Sequence, residues 1–221
     1  MNAHMRFDID YVIRHLPDFG PAILTALELL LLALAIAFAW GILLAIGRLS
    51  KGPLRGAAAA YIEFFRNTPL LIQLYFAFFA LPSLGIRLDA FETGVAALAA
   101  QHSAFFAEIF RGTIQSVASG QREAGYALGM VPGQLMRYVV LPQALRNAVP
   151  AMGNQVILLL QDTALVSTIG VYEITLQGRT LAERSAASFE MFVAVGLIYL
   201  VLSTIFSLLL RVVEQGCRIV K

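Results

Sequence analysis

From Ala22 to Gly47 the chain runs through apolar residues with Glu28 as its only charge. A helix needs about 20 mostly apolar residues to cross the hydrocarbon of a bilayer, so this run reads as a membrane span. A second run, Met191 to Leu210, carries no charge. Arg48 and Lys51 follow the first run without a small-residue cleavage site, so it is expected to be retained rather than removed as a signal peptide. Only 14% of the 221 residues are charged and 59% are hydrophobic, whereas a soluble domain carries about a quarter charged residues. The length leaves room for several spans and for no additional soluble domain. A net charge of +2, with the basic residues dispersed, gives no footprint for nucleic acid. The single cysteine, Cys217, excludes an intrachain disulfide; it reads as a bystander thiol or a lipidation site.

Five spans are expected, near 22–47, 61–81, 93–113, 149–169 and 189–210, making an all-α polytopic membrane protein with one transmembrane domain over residues 1–221. Pro21 lies where the first span starts, a position that suits a residue with no amide to donate, and Pro82, Ser83 and Gly85 close the second. An odd number of spans puts the termini on opposite sides. Arg48, Lys51, Arg55, Arg122, Arg137, Arg146, Arg211, Arg218 and Lys221 gather on one side, while Arg6, Arg14, Arg87, Arg179 and Arg184, diluted by acids, lie on the other. Cytoplasmic loops carry the excess of Lys and Arg. The N-terminus is therefore expected outside, with the C-terminus and the polar 116–147 segment in the cytoplasm.

That segment includes EAGYALGMVPGQLMRYVVLP, Glu123 to Pro142. Ala124, Leu128 and Leu135 supply apolar contacts, and Gly129 and Gly133 permit a sharp reversal. Two short helices about a glycine turn would form a knob outside the lipid, suited to a protein partner; on patterning alone an ordinary amphipathic connector fits as well. The stretch resembles the EAA loop of permease subunits in ABC importers. Glu123, Ala124 and Gly129 match, nine residues follow, and Val139-Val140-Leu141-Pro142 closes the pattern, with Gly125 replacing the second alanine and Val139 replacing isoleucine. FFRNTPLLIQLYF (64–76), SAFFAEIFRGTIQSV (103–117), LPQALRNAVPAMGNQ (141–155) and LQDTALVSTIGV (160–171) are similar to the polar-amino-acid permeases of that class, and the resemblance covers about residues 20–212.

The resemblance implies a five-span permease of an ATP-driven importer in the cytoplasmic (inner) membrane of a bacterium. It would pair with a second permease subunit, identical or paralogous. An extracytoplasmic substrate-binding protein would deliver an amino-acid substrate. The coupling loop, through Glu123, Ala124, Gly125, Gly129 and Pro142, would insert into a cleft of a cytoplasmic ATP-binding subunit. No G-x-x-x-x-G-K-[ST] loop occurs, so nucleotide chemistry would belong to that partner. No H-E-x-x-H or G-x-S-x-G motif occurs, and His102 is the only histidine at membrane depth; no catalytic residue, metal or cofactor is expected. Midplane charge alone would also fit a secondary carrier or channel. Such carriers commonly show inverted repeats, and no repeat is found here.

At about 1.5 Å of rise per residue, Gln73 falls near the middle of span 2, Gln101, His102 and Ser103 near the middle of span 3, and Gln161 and Asp162 just past the middle of span 4. An aspartate at a helix centre costs about 2.5–3.5 kcal/mol on insertion scales, so it should face the bundle interior or a watery cavity. Asp162 either draws the ammonium of an amino acid or holds a structural hydrogen bond to Thr163 or His102. The resembled family has lysine or glutamine before this aspartate; Gln161 places no fixed cation there. His102 reads as a neutral hydrogen-bonding residue or a proton-linked switch, and by resemblance His102 and Ser103 line the substrate cavity. Pro69 removes a backbone bond and kinks span 2; Asn67 and Thr68, with the freed carbonyls, either bind substrate or mark a plain kink. Glu108 and Arg111 share a helix face, as an ion pair or a gate. Glu28 is expected to make an interhelix contact, Gly196, Ser203, Thr204 and Ser207 to serve helix packing, and the aromatic 75–79 segment to meet lipid or a second subunit. Gln161 beside Asp162, with FRNTP, favours glutamate, aspartate or glutamine by resemblance.

Overall fold

The computed structural model of the chain describes residues 8–185 and 187–217. His4, Arg6, Arg218 and Lys221 lie outside the described residues, as does the side chain of Cys217. Among the described residues every regular element is helical. Asp8 caps α1 (Ile9–His15) by accepting from the Tyr11 amide at 3.0 Å. A 3-10 turn, Leu16–Phe19, leads into α2 (Gly20–Leu49), with Pro21 in its first turn. Gly52, at φ 79°, sets up α3 (Pro53–Asn67). α4 (Leu70–Tyr75) follows, loosens into a π-helical turn at Phe76–Ala80 and tightens into a 3-10 turn at Leu81–Leu84. Next come α5 (Ala90–Ser116), α6 (Ser119–Ala127) and α7 (Pro132–Leu135). A π-helical turn, Met136–Val140, joins α7 to α8 (Leu141–Asp162), and α8 tightens into a 3-10 segment, Thr163–Ile169. α9 (Ile174–Ser185) and α10 (Ser188–Cys217) complete the order.

Two stretches, Ile9–Leu49 and Ser188–Gly216, are long and apolar enough to cross a membrane as single helices, and two more qualify as broken pairs, Pro53–Asn67 with Leu70–Leu84 and Pro132–Ile169 with Ile174–Arg184. The expected kink at Pro69 is a full break. Thr68 is extended (φ −113°, ψ 140°), because a residue before proline is pushed out of the helical region, and Pro69 has no amide to rejoin the ladder. α5 has the length of a span, 27 residues, but Gln101, His102, Glu108 and Arg111 interrupt its apolar character. Its start is fixed by a capping box that the sequence reading had not marked: Asp89 Oδ1 accepts from the Glu92 amide at 2.8 Å, and Glu92 Oε2 accepts from the Asp89 amide at 3.0 Å. α9, within the polar stretch 170–188, was likewise not expected.

The chain divides into two compact units: Met1–Ala33, Leu70–Leu98 and Leu158–Phe206 form the first, and Leu34–Pro69, Ala99–Ile157 and Ser207–Lys221 the second. α2, α5, α8 and α10 each contribute residues to both. In the first unit, Phe19, Ala26, Ile174, Leu181, Met191 and Val195 form a core. α9 lies so close to α10 that a Cβ on Gly178 would overlap Val195, and one on Gly94 would overlap Val166. Glu173 is fully buried at the start of α9. It caps that helix by accepting from the Thr175 and Leu176 amides at 2.8 and 3.0 Å, and it accepts from the Tyr199 hydroxyl at 2.6 Å. Gln177 donates to the Asp18 carbonyl at 3.1 Å, tying α9 to the turn before α2.

In the second unit, α2, α3 and α5 meet through Ala37, Leu44, Ala58, Ile62, Phe106 and Phe110. A Cβ on Gly41 would lie 2.7 Å from the Phe106 Cβ and 3.0 Å from the Ser103 carbonyl oxygen, so α2 and α5 touch nearly backbone to backbone. Glu28 corrects one expectation: it is exposed on α2 and makes no interhelix hydrogen bond or ion pair among the described residues. A Cβ on Gly196 would meet nothing within 4 Å among the described residues, so this glycine admits no close helix contact there. Gly153 does take a packing role, against Leu210 at 3.4 Å.

The Gly41 contact generates a prediction. Neither a Cβ nor a backbone oxygen can swing aside, so Gly41→Ala should destabilise by about 1–3 kcal/mol, the usual range for overpacking. Gly56→Ala, in open space on α3, should instead stabilise by up to about 1 kcal/mol through helix propensity. Opposite shifts in the midpoint of thermal unfolding, measured on the detergent-purified protein, are the expected result.

Candidate functional site

The segment expected to couple to an ATP-binding subunit is built from α6, a reversal and α7, all in the second unit. Gly129 stands at φ 80°, a conformation that costs about 1–2 kcal/mol for a residue with a Cβ. The reversal closes with the Leu128 amide donating to Ala124 O (3.0 Å), Gly129 to Tyr126 O (2.9 Å) and Met130 to Gly125 O (3.0 Å), a glycine-terminated helix end that satisfies the last carbonyls. Gly125 lets Leu135 pack directly onto α6, where a Cβ would overlap the Leu135 methyl. Leu135, Val140, Val117 and Ala144 form a small core of their own. Arg122 pins α6 to the end of α5 by donating from Nη2 to the Ile114 carbonyl at 2.6 Å.

The outer surface of this knob is apolar. Leu128 is 80% exposed, and Tyr126, Val131 and Tyr138 are exposed with it. The Glu123 and Ala124 side chains are also exposed, and the Glu123 carboxylate has no partner among the described residues. The three apolar residues expected to make contacts therefore separate: Leu135 faces the knob's interior, while Ala124 and Leu128 face outward. Pro142 is the second residue of α8, where its missing amide leaves no intrahelical bond unmade. The sequence reading missed Arg122 and Tyr126; an arginine one residue before the Glu-Ala pair was the available signal.

The polar residues at membrane depth fall in both units. In the second unit, His102 is 1% exposed and pairs with Gln155, Nδ1 to Nε2 at 2.7 Å. The neighbouring Ser103 is fully buried; its hydroxyl donates to the Ala100 carbonyl at 2.7 Å and lies 3.1 Å from the Tyr61 hydroxyl. Two buried polar links thus join α5 to α8 and to α3. Gln155 and Tyr61 had drawn no notice in the sequence, because each pairing spans tens of residues. Asn67 is exposed at the last turn of α3, and Thr68 Oγ1 caps that turn by donating to the Phe64 carbonyl at 2.8 Å.

Beside them lies a charged cluster. Arg111 grips Glu108 with two parallel bonds, Nε to Oε1 at 2.9 Å and Nη2 to Oε2 at 2.7 Å, and its Nη1 donates to Gln115 Oε1 at 2.6 Å. Arg66, from α3, adds a contact to Glu108 at 3.6 Å and stacks over the Phe105 ring at 5.5 Å. A bidentate arginine–carboxylate pair is among the stronger polar contacts available, and here it ties the end of α3 to α5. In the first unit, Gln73 is buried in α4, Gln161 is exposed, and Asp162 is half-buried where α8 gives way to the 3-10 segment. The Thr163 hydroxyl donates to the Leu160 carbonyl at 2.7 Å.

Comparison with known proteins places this geometry. Residues 37–219 match the family described as binding-protein-dependent transport system inner membrane component. The L-cystine transport system permease protein TcyL of Bacillus subtilis (strain 168) is 37% identical over 95% of this chain and 91% of its own. The glutamine transport system permease protein GlnP of Escherichia coli (strain K12) is 35% identical over 97% of this chain and 100% of its own. A solved structure described as an amino acid ABC transporter with histidines superposes with a TM-score of 0.91 at 38% identity, covering 96% of this chain and all of that one. The MetNI methionine ABC transporter shares the fold alone, with a TM-score of 0.70 at 19% identity. Family match and fold agree: the chain belongs to the inner membrane components of binding-protein-dependent transport systems, membrane transport subunits rather than enzymes, and is similar to those for amino acids.

Proposed function

We propose that this chain is the permease subunit of an ATP-driven importer for a polar amino acid, with glutamate, aspartate or glutamine favoured. The observation that carries the proposal is the knob of α6 and α7: a self-packed structure that turns Leu128, Tyr126 and the unpaired Glu123 outward. Such a surface suits a cleft in an ATP-binding subunit. One uninterrupted helix, α8, starts at the end of the knob and ends at Gln161 and Asp162. At about 1.5 Å per residue it could carry a displacement of the knob to those polar residues without bending at a loop. The five-span topology has α5 as its third span, the N-terminus outside and the knob in the cytoplasm. A substrate-binding protein delivers the amino acid outside, and a second permease subunit, identical or paralogous, completes the pathway.

In the first unit, exposed Gln161 and half-buried Asp162 are the proposed substrate residues, Asp162 for the ammonium and Gln161 for an amide or carboxylate, with Gln73 as a further polar group. In the second unit, Asn67 and Thr68 near the broken span and His102 and Ser103 on α5 are proposed to supply further polar contacts along the pathway. The relatives named for glutamine and for L-cystine are similarly distant, 35% and 37% identical, which supports the polar amino-acid class as a whole.

Three outcomes are expected. Glu123→Arg and Leu128→Asp should each reduce co-purification of the ATP-binding subunit, with a loss of about 2 kcal/mol or roughly thirtyfold if Leu128 is a central anchor; intact assembly and uptake in both variants would refute the docking role. Asp162→Asn should lower ATP-dependent uptake of labelled glutamine or glutamate at least about tenfold while leaving expression and assembly unchanged, since it removes one charge pair worth over 1 kcal/mol; uptake equal to wild type, or uptake that persists without ATP, would favour a different pathway or a passive carrier. In a Cys217→Ser background, Leu128→Cys should react with a membrane-impermeant maleimide only after the cells are opened. Labelling of intact cells would reverse the proposed orientation.

A further inference from the structure

Within the second unit a cavity of about 580 Å³ opens between the last turns of α2, the end of α5 and the start of α8. Ile46, Leu49, Phe110, Ile114, Met136 and Leu145 line it, and Ser50 is the one lining residue with a polar side chain. Ile46, Leu49, Met136 and Leu145 remain exposed, so the cavity is open to whatever surrounds the protein. Basic residues adjoin these lining residues in the sequence: Arg48 in the last turn of α2 and Lys51 just after it, Arg137 on the π-helical turn and Arg146 on α8. No acidic residue occurs in 38–51, 110–114 or 136–146; Glu108, outside these stretches, attracts Arg48 along with Arg111 and Arg66, which leaves Lys51, Arg137 and Arg146 as the cations without an acidic neighbour on the lining segments. Lys51, Arg137 and Arg146 are exposed and form no ion pair among the described residues, and Arg48 Nε is buried without a hydrogen-bond partner.

We infer that this cavity binds an anionic phospholipid, one acyl chain in the apolar slot and the headgroup phosphate among Arg48, Lys51, Arg137 and Arg146. Basic pockets at the ends of transmembrane helices recruit acidic headgroups in this way. The charge pattern argues against a second copy of the chain as occupant. A two-fold interface brings the same patch together from both copies, which would set these cations against one another with no acid between them. A zwitterionic lipid would fill the slot but would leave the cations without net compensation.

The test uses the complete transporter in nanodiscs with a tryptophan reporter. Trp40→Phe removes the native tryptophan, and Leu145→Trp places one at the cavity; Leu200→Trp, exposed on α10 in the other unit, serves as the reference. Quenching by dibrominated phosphatidylglycerol is compared with quenching by dibrominated phosphatidylcholine of the same chain length. At Leu145→Trp, phosphatidylglycerol should be preferred about fivefold for each basic residue engaged, and at Leu200→Trp the two lipids should quench equally. Lys51→Gln with Arg146→Gln should cut the preference about twenty-five-fold, fivefold for each cation removed, while leaving quenching itself intact; an unchanged preference would overturn the headgroup assignment. Equal quenching at both positions would mean ordinary boundary lipid, and a reporter shielded from both lipids would mean that protein covers the cavity; either result overturns the proposal.

Discussion

Helices in a bilayer gain nothing by hiding apolar side chains from a solvent that is itself apolar, so close approach and interhelical polar bonds must hold them together. In this chain close approach depends on glycine and alanine. Gly41 brings α2 onto α5 at Phe106, Gly94 admits Val166, and Gly178 admits Val195. Around the Gly41 contact, the Phe38 ring meets Phe106 and Phe110 edge-on, with centroids 6.0 and 5.6 Å away. Large side chains thus pack beside the small ones rather than between the helices. The buried polar links act on the same elements: His102 with Gln155, and Ser103 with Tyr61, join α5 to its neighbours at points where a hydrogen bond left unmade would cost about 1–3 kcal/mol.

The knob of α6 and α7 follows different physics, because it holds its shape while leaving apolar side chains exposed. Its four-residue core leaves Leu128 and Tyr126 outside. Local order comes from that core together with backbone closure at Gly129 and the Arg122 anchor to α5. Gly125 is part of the same solution: lacking a Cβ, it lets Leu135 come close. The π-helical turn Met136–Val140 then leads into α8 without a loop, so the knob and the long helix form one continuous path along the chain.

Much of this was legible in the sequence. The long apolar runs announced helices in lipid, since chain length and hydropathy are local properties. The glycine and proline punctuation of 123–142 announced a turn between two short helices, since a positive φ and a missing amide are properties of single residues. Pro69 announced a disturbance of span 2, but only the backbone shows that Thr68 becomes extended and the helix ends. The Glu108–Arg111 spacing announced a shared face; the added reach of Arg66 and its stacking on Phe105 needed the third dimension.

By itself the sequence determined the membrane class of the chain, the rough places of its long apolar stretches, and the loop pattern by which it resembles its family, because each of these is written in neighbouring residues. Only the tertiary structure decided that His102 meets Gln155, that Leu135 turns inward while Leu128 turns outward, and that Glu28 finds no polar partner among the described residues. Those outcomes depend on which helix faces come together, and that is fixed by packing between segments far apart in the chain, where local patterning carries no information.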